Sequence, residues 1–318
     1  MYEKIGPIEI FGDNSSKVPF CTTLLLTNNR ESILLDCGAG FDSLAHIKKT
    51  YDVDKIYLTH HHIDHMWGVS HFPEAKVHIN PLDFEKVSDL MAISHADGML
   101  AVLEEETFQL WLKQQENRRF GDIAVGKRTL RPDGNYPMDE LIEIAGVDVR
   151  FIHAPGHSEG YTIPYIEKYG VAYIGDIDLT SFGPFYNELE ADIDDFIASA
   201  KKVLDLDVAH IVTGHHKGIV SKQEYKEKIV DYLNIIEMRH EQIAHHIRNG
   251  ISPAALPEQG IFYRKEQLVG SPLRRKSEII GIYKHLERLS HEGGVSVRFI
   301  EEYIQQHIAR QEYLNYGQ

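Results

Sequence analysis

Hydrophobic and polar positions change their period several times along the chain. Over the first 80 residues, apolar runs at Ile8 to Phe11, Cys21 to Leu26, Ile33 to Cys37 and Ile56 to Leu58 sit between turn-forming residues. Runs of that length predict strands, interrupted by one helix over Phe41 to Lys49. From Leu82 to about Phe120 the spacing turns helical, through Phe84, Val87, Leu90 and Met91, then Leu100, Leu103, Phe108, Leu110 and Leu112. The pattern predicts a helical block between two strand-rich regions. Strands resume at Leu141 to Ala145, Val147 to His153, Tyr161 to Ile166 and Val171 to Ile174, the last two joined by the turn Glu167-Lys168-Tyr169-Gly170. A helix near Asp192 to Leu204 and a strand at Ala209 to Thr213 complete an alternation that fits layered α/β packing. After Lys222 the chain reads as helical, with Tyr225, Ile229, Tyr232, Ile236, Ile243 and Ile247 on one stripe that should pack on the preceding domain. Ser252-Pro253 and Pro257 break that helix, and further helices are expected over Lys276 to Glu292 and Val297 to Tyr313.

The 318 residues are 42% hydrophobic, enough for a sizeable core in one large or two modest domains. Lys and Arg total 33 against 48 Asp and Glu, a net charge of −15 that disfavours binding to nucleic-acid phosphates or anionic membranes. No apolar run approaches the roughly 20 residues that span a bilayer, and MYEKIGPIEIFGD lacks the pattern of a secretory leader. With only Cys21 and Cys37, a disulfide framework is excluded and a cytoplasmic setting is expected. Histidine departs from the ordinary, at 19 copies.

Four of those histidines and a carboxylate fall together in Thr59-His60-His61-His62-Ile63-Asp64-His65, directly after the strand Lys55 to Leu58. Imidazole and carboxylate suit zinc, manganese or iron, and alternate residues of an extended segment aim His60 and His62 the same way. Asp64 and His65 are placed to serve a second ion. The run resembles the HxHxDH motif of the metallo-β-lactamase superfamily. Further landmarks follow in family order: His157 in Ala154-Pro155-Gly156-His157-Ser158, Asp176 in Tyr173-Ile174-Gly175-Asp176, His215 in Val212-Thr213-Gly214-His215, and the early Asp36 in Leu34-Leu35-Asp36-Cys37-Gly38. The resemblance covers about residues 1 to 220. It implies a four-layered αββα sandwich as catalytic domain, with a helical insertion at about 82–120 and a C-terminal helical region over 221–318.

The resemblance further implies two divalent cations, zinc first and iron or manganese as alternatives. His60, His62 and His157 would hold one, Asp64, His65 and His215 the other, with Asp176 bridging and Asp64 and Asp176 as the catalytic carboxylates. Two close cations lower the pKa of a shared water, so hydroxide attacks and no serine nucleophile is needed. The implied enzyme is a hydrolase of the glyoxalase II and thioesterase-like branch. Its expected substrate is a small, anionic ester, thioester or lactone, with no nucleic-acid or membrane partner and a homo-oligomer allowed. Rival readings are a non-haem iron persulfide dioxygenase and a metal-dependent RNA phosphodiesterase.

Other positions carry two readings. His61 and His216 are either loop residues or contacts to ligand or substrate. Asp36 caps a turn, orients a ligand histidine, or does both. Cys37 reads as a small buried hydrophobe. Tyr161 and Tyr186 are core residues or hydrogen-bond donors to substrate. Ninety-one residues separate His65 from His157, longer than in compact glyoxalase II-like members. The helical block in that interval is a lid or dimerisation element offering Met91, Met99, Phe108 and Trp111, or a cover sealed onto the body. Arg274-Arg275-Lys276 is the sharpest basic cluster: a solvated loop by preference, or a grip for a substrate phosphate or carboxylate. Neither a flavodoxin-like segment nor a nuclease cap is present, since only 38 residues separate Asp176 from His215. The stretch Ile279 to Leu286 with Glu292-Gly293-Gly294-Val295 resembles the helical tail of some thioesterase-like and endoribonuclease-like members.

Overall fold

Apolar runs too short for helices and rich in β-branched residues build two sheets. The computed structural model describes residues 2–12, 20–120, 123–126 and 128–314. The first sheet runs, in spatial order, β1 (Tyr2–Ile5), β2 (Ile8–Phe11), β3 (Thr23–Thr27), β4 (Ser32–Leu35), β5 (Lys55–Leu58), β6 (Lys76–Ile79) and β9 (Gly134–Asn135). The second is β10 (Leu141–Ile144), β11 (Val147–His153), β12 (Thr162–Ile166), β13 (Val171–Gly175), β14 (His210–Thr213) and β15 (Ile219–Ser221). β4, β5 and β6 are parallel, as are β13 and β14. Parallel neighbours need crossovers, which α1 (Phe41–Thr50) and α7 (Ile193–Lys202) supply.

Three apolar layers hold the sandwich. Ile10, Leu24, Ile33 and Leu35 of the first sheet meet Val149, Phe151, Ile166 and Tyr173 of the second. On the outer face of the first sheet, Leu34, Ile56 and Leu58 pack on Leu44 and Ile47 of α1. On the outer face of the second, Ile163, Ile174 and Ile211 pack on Phe196 of α7 and on Tyr225, Ile229 and Tyr232 of α8 (Lys222–Arg248). This is the αββα order expected from the sequence.

The interval after β6 departs from an uninterrupted helical block. It holds four short helices, α3 (Phe84–Ser88), α4 (Leu90–Ala96), α5 (Met99–Val102) and α6 (Glu105–Gln115). Asp89 starts α4 by accepting from the Met91 N–H, and Gly98, at φ 82°, turns the chain between α4 and α5. Helix then ends at Gln115, and β7 (Arg118–Phe120) pairs with β8 (Ile123–Gly126) in a hairpin that the apolar spacing did not show. In the tail, α8 leaves the second sheet and buries Ile236, Ile243 and Ala244 against α10 (Pro272–His291) and α11 (Val297–His307). Between them lies the single turn α9 (Lys265–Leu268). α10 begins four residues before the expected Lys276, because Ser271 accepts from the Arg274 N–H and Pro272 suits a first helical turn. No helix among the described residues is long and apolar enough to cross a membrane.

Candidate metal centre

The chemistry-bearing loops all leave the same edge of the sandwich. β5 delivers His60 and His61, while His62 stands in extended conformation ahead of the one-turn helix α2 (Ile63–Met66), which carries Asp64 and His65. His157 lies in the β11–β12 connection. Asp176 and His215 follow the parallel neighbours β13 and β14, and the Gly214 N–H donates to the Gly175 carbonyl at 2.7 Å, holding the two loops side by side. Close backbone approach is built in: a Cβ at Gly38 would lie 1.8 Å from the Asp64 carbonyl oxygen.

These loops assemble two donor sets. His60, His62, His157 and Asp176 form one, and Asp64, His65, Asp176 and His215 the other, with the donor atoms of each set within 4.8 Å of one another. Asp176 Oδ2 lies 2.8 Å from His157 Nε2 and 3.7 Å from His60 Nε2. Its other oxygen, Oδ1, lies 2.9 Å from His65 Nε2 and 3.3 Å from His215 Nε2. His62 Nδ1 is 2.9 Å from His157 Nε2, and His215 Nε2 is 3.4 Å from Asp64 Oδ2. The buried Nε2 atoms of His60 and His215 have no hydrogen-bond partner. An orphaned imidazole nitrogen facing other donors is what an absent cation leaves, so the residues present fit a divalent metal.

The outward ring nitrogens are each anchored. His65 Nδ1 donates to Asp36 Oδ2 at 2.6 Å, and Asp36 Oδ1 also accepts from the Thr59 N–H at 2.7 Å. The carbonyls of Phe185 and Phe20 accept from His157 Nδ1 and His215 Nδ1, both at 2.9 Å. His62 Nε2 donates to Glu188 Oε2 at 2.8 Å, which turns Nδ1 toward His157. Such partners fix tautomer and ring orientation. Asp36 therefore takes the orienting role expected of it, and its remaining bonds reach Thr59 at the start of the ligand loop, not a local turn.

Burial and charge set the titration of this cluster. Burial pulls the His60 imidazole well below its ordinary range, helped by the neighbouring His65 and His62. Although burial opposes it, the charges of His65 and His157 hold the Asp176 carboxyl well down. Asp64 is likewise brought down to about 2, against burial, by the neighbouring imidazoles of His215 and His65. Burial pushes Asp178 up to about 6, assisted by Asp176.

A cavity of about 540 Å³ opens over both donor sets. Ile93, Met99 and Trp111 of the insertion form one wall, Phe182 and Phe185 another, and Arg274 and Lys276 of α10 a third.

A sequence model described as the metallo-β-lactamase superfamily matches residues 82–215, spanning His157, Asp176 and His215. Over that interval the chain is similar to this superfamily. A second model, described as anti-Pycsar protein Apyc1, matches residues 11–118. An uncharacterized protein of Aquifex aeolicus is 26% identical over 160 residues, 49% of this chain and 64% of that one. Acyl-coenzyme A thioesterase MBLAC2 of Gallus gallus is 22% identical over 226 residues, 64% of this chain and 74% of the relative. Among solved structures, a metallo-β-lactamase family protein from Thermus thermophilus superposes with a TM-score of 0.64 at 21% identity, covering 91% of this chain and 95% of its own.

Within this fold the paired sequence readings are decided, and one preference is corrected. Tyr161 and Tyr186 take the core reading and do not line the cavity. Tyr161 is fully buried, donates to the Ile174 carbonyl and accepts from the Asp176 N–H at 2.8 Å, so it positions the carboxylate. Tyr186 shares a proton with His285 Nε2 at 2.9 Å beneath α10. The basic cluster is not a solvated loop: it lies in the first turns of α10, with Lys276 buried and Arg275 turned out to Glu258. His61 is buried beside Asp83, at 3.3 Å, whereas His216 is exposed at the cavity mouth. Met91 is 43% exposed, while Met99, Phe108 and Trp111 are buried. Glu188 and Arg128 went unnoticed in the sequence, because neither stands at a ligand spacing or in a charged run.

Proposed function

We propose that this hydrolase cleaves an ester, thioester or lactone of a small molecule at two divalent cations, zinc foremost. The observation that carries the reading is Asp176, whose two oxygens face the two donor sets separately. His60, His62 and His157 would hold one cation, Asp64, His65 and His215 the other, and Asp176 both. Cations there supply Lewis acidity and bring the pKa of coordinated water toward neutrality. The chain's own part is to hold geometry and exclude solvent. Asp36, Glu188 and the Phe20 and Phe185 carbonyls keep the imidazoles in register, while Tyr161 fixes the Asp176 backbone. The apolar wall of Ile93, Met99 and Trp111 limits water around the scissile bond and favours an acyl chain. Likeness to an acyl-coenzyme A thioesterase supports the acyl-transfer choice, and the −15 charge speaks against a polynucleotide.

The test is elemental analysis of protein purified without added metal, alongside turnover of ester, thioester and lactone panels before and after chelation. Two ions per chain with chelator-sensitive hydrolysis is the expected result. One iron with oxygen consumption on a persulfide would overturn the reading.

A further inference from the structure

Beside the donor sets, the cavity wall contains four cations, Arg118, Arg128, Arg274 and Lys276, of which Arg128 and Lys276 are buried and unused by the hydrolytic reading. Arg128 is 5% exposed and Lys276 3%. Both line the cavity over the metal centre. Arg128 Nη2 donates to the His61 carbonyl at 2.9 Å, and Lys276 Nζ reaches the Asn187 carbonyl at 3.4 Å. Those carbonyls immediately precede His62 and its partner Glu188, so both cations are moored at the His62 edge of the centre.

Among the described residues, neither Arg128 nor Lys276 forms an ion pair. Two other cations of the molecule are matched by carboxylates. Lys86 is surrounded by Asp83, Glu159 and Glu190, and Arg275 by Glu258. Of the cavity carboxylates, Glu188 accepts from His62 and Asp97 from the Met99 N–H at 2.9 Å, and both act on Arg128 and Lys276 from beyond ion-pair distance. Arg128 Nη1 also donates to Met66 Sδ at 3.3 Å, and a buried cation hydrogen-bonded only to neutral groups is costly unless an anion completes it. Burial draws the Arg128 guanidinium down to about 9, the mark of that cost.

We propose that Arg128 and Lys276 form a subsite for a compact anion, a carboxylate or phosphate, carried by the substrate beside the bond that is cut. The inference rests on the hydrolytic reading above and names its substrate class: an ester or thioester with a short anionic arm. Water adds across the acyl carbon–heteroatom bond, releasing a carboxylate and an alcohol or thiol, while the anionic arm is unchanged. Arg274, also on the cavity wall, stands toward the mouth and supplies a more distant charge.

The experiment uses the metal-loaded full chain and two matched pairs of thioesters. One pair is succinyl and pentanoyl thioesters of a neutral thiol; the other is acetyl thioesters of 3-mercaptopropionate and of butanethiol. In at least one pair the anionic member is expected to have a kcat/KM higher by about tenfold or more, the scale of a charge-assisted contact. Lys276→Met should bring that ratio to within about twofold, and Arg128→Lys, which keeps the charge, should retain most of it. Turnover of all four without preference, or a preference that survives Lys276→Met, overturns the subsite and leaves the hydrolytic reading standing. If no thioester is turned over, the hydrolytic reading fails and inorganic sulfate decides the subsite separately. Sulfate should raise the melting temperature of the parent by a larger margin than that of Lys276→Met, and equal shifts overturn it.

Discussion

Glu188→Gln tests whether a carboxylate outside the ligand sets governs the centre. Glu188 Oε2 accepts from His62 Nε2 at 2.8 Å, and the carboxylate is only 9% exposed. An ionised carboxylate can only accept, so it pins the His62 proton on Nε2 and leaves Nδ1 with its lone pair toward His157. Glutamine keeps the shape, but its amide can also donate, so the opposite tautomer becomes accessible and one nearby negative charge is lost. Removing such a partner weakens metal binding by about 10- to 100-fold, or roughly 1.4 to 2.8 kcal/mol. The variant should bind the cation held by His60, His62 and His157 that much more weakly, measured by competition against a chromophoric chelator. Imidazole ¹⁵N–¹H correlation of the loaded protein should show His62 losing its single tautomer. An affinity within about twofold of the parent, with His62 still protonated on Nε2, would refute the reasoning.

Three further outcomes follow from the geometry. Asp176→Asn should lose or weaken the second ion and lower kcat by about a hundredfold or more with the fold intact; two tightly held ions with near-parent turnover would remove Asp176 from the centre. Gly38→Ala places a methyl 1.8 Å from the Asp64 carbonyl and should displace the α2 turn, seen as reduced metal content and a lower melting temperature; unchanged values would contradict the tight approach. His285 is fully buried and burial first, then His240, holds its imidazole well below the ordinary range. The unfolded chain therefore takes up this proton first, and stability should fall as pH drops below about 6.5, by up to about 1.4 kcal/mol per pH unit. Denaturant midpoints at pH 7.5 and 5.5 should converge in His285→Gln, and an unaltered pH slope would assign the effect to other groups.

The donor residues were legible in the sequence because their spacing is imposed by local backbone: His60 and His62 alternate on an extended segment, and Asp64 and His65 follow on one turn. The α8 stripe was legible for a similar reason, since Tyr225, Ile229, Tyr232, Ile236 and Ile243 are all buried. Glu188 and Arg128 are brought to the centre by tertiary folding, from a loop and the segment after β8, which leaves no period to read, whereas Lys276 stood out in its run of basic residues. The β7–β8 hairpin escaped because Arg118–Phe120 opens with two charged residues and is three residues long. Tyr161 and Tyr186 are core residues, one of the two readings the sequence allowed, but their partners were not legible, since side-chain direction depends on packing across the sheets.

The donor loops come from both halves of the sandwich, β5 and α2 on one side and β11, β13 and β14 on the other. A cation held there is therefore a reversible tether across the seam between sheets, as in the set that joins His65 to His215 over 149 intervening residues. Both cysteines are free and buried, so no covalent tie shares this duty. Mechanical cohesion of the two halves thus becomes a function of metal supply, rising by about 1.4 kcal/mol for each tenfold increase in free ion once the site is filled. Under metal starvation the seam should be the first part of the molecule to exchange its amide hydrogens, ahead of either sheet's outer helices.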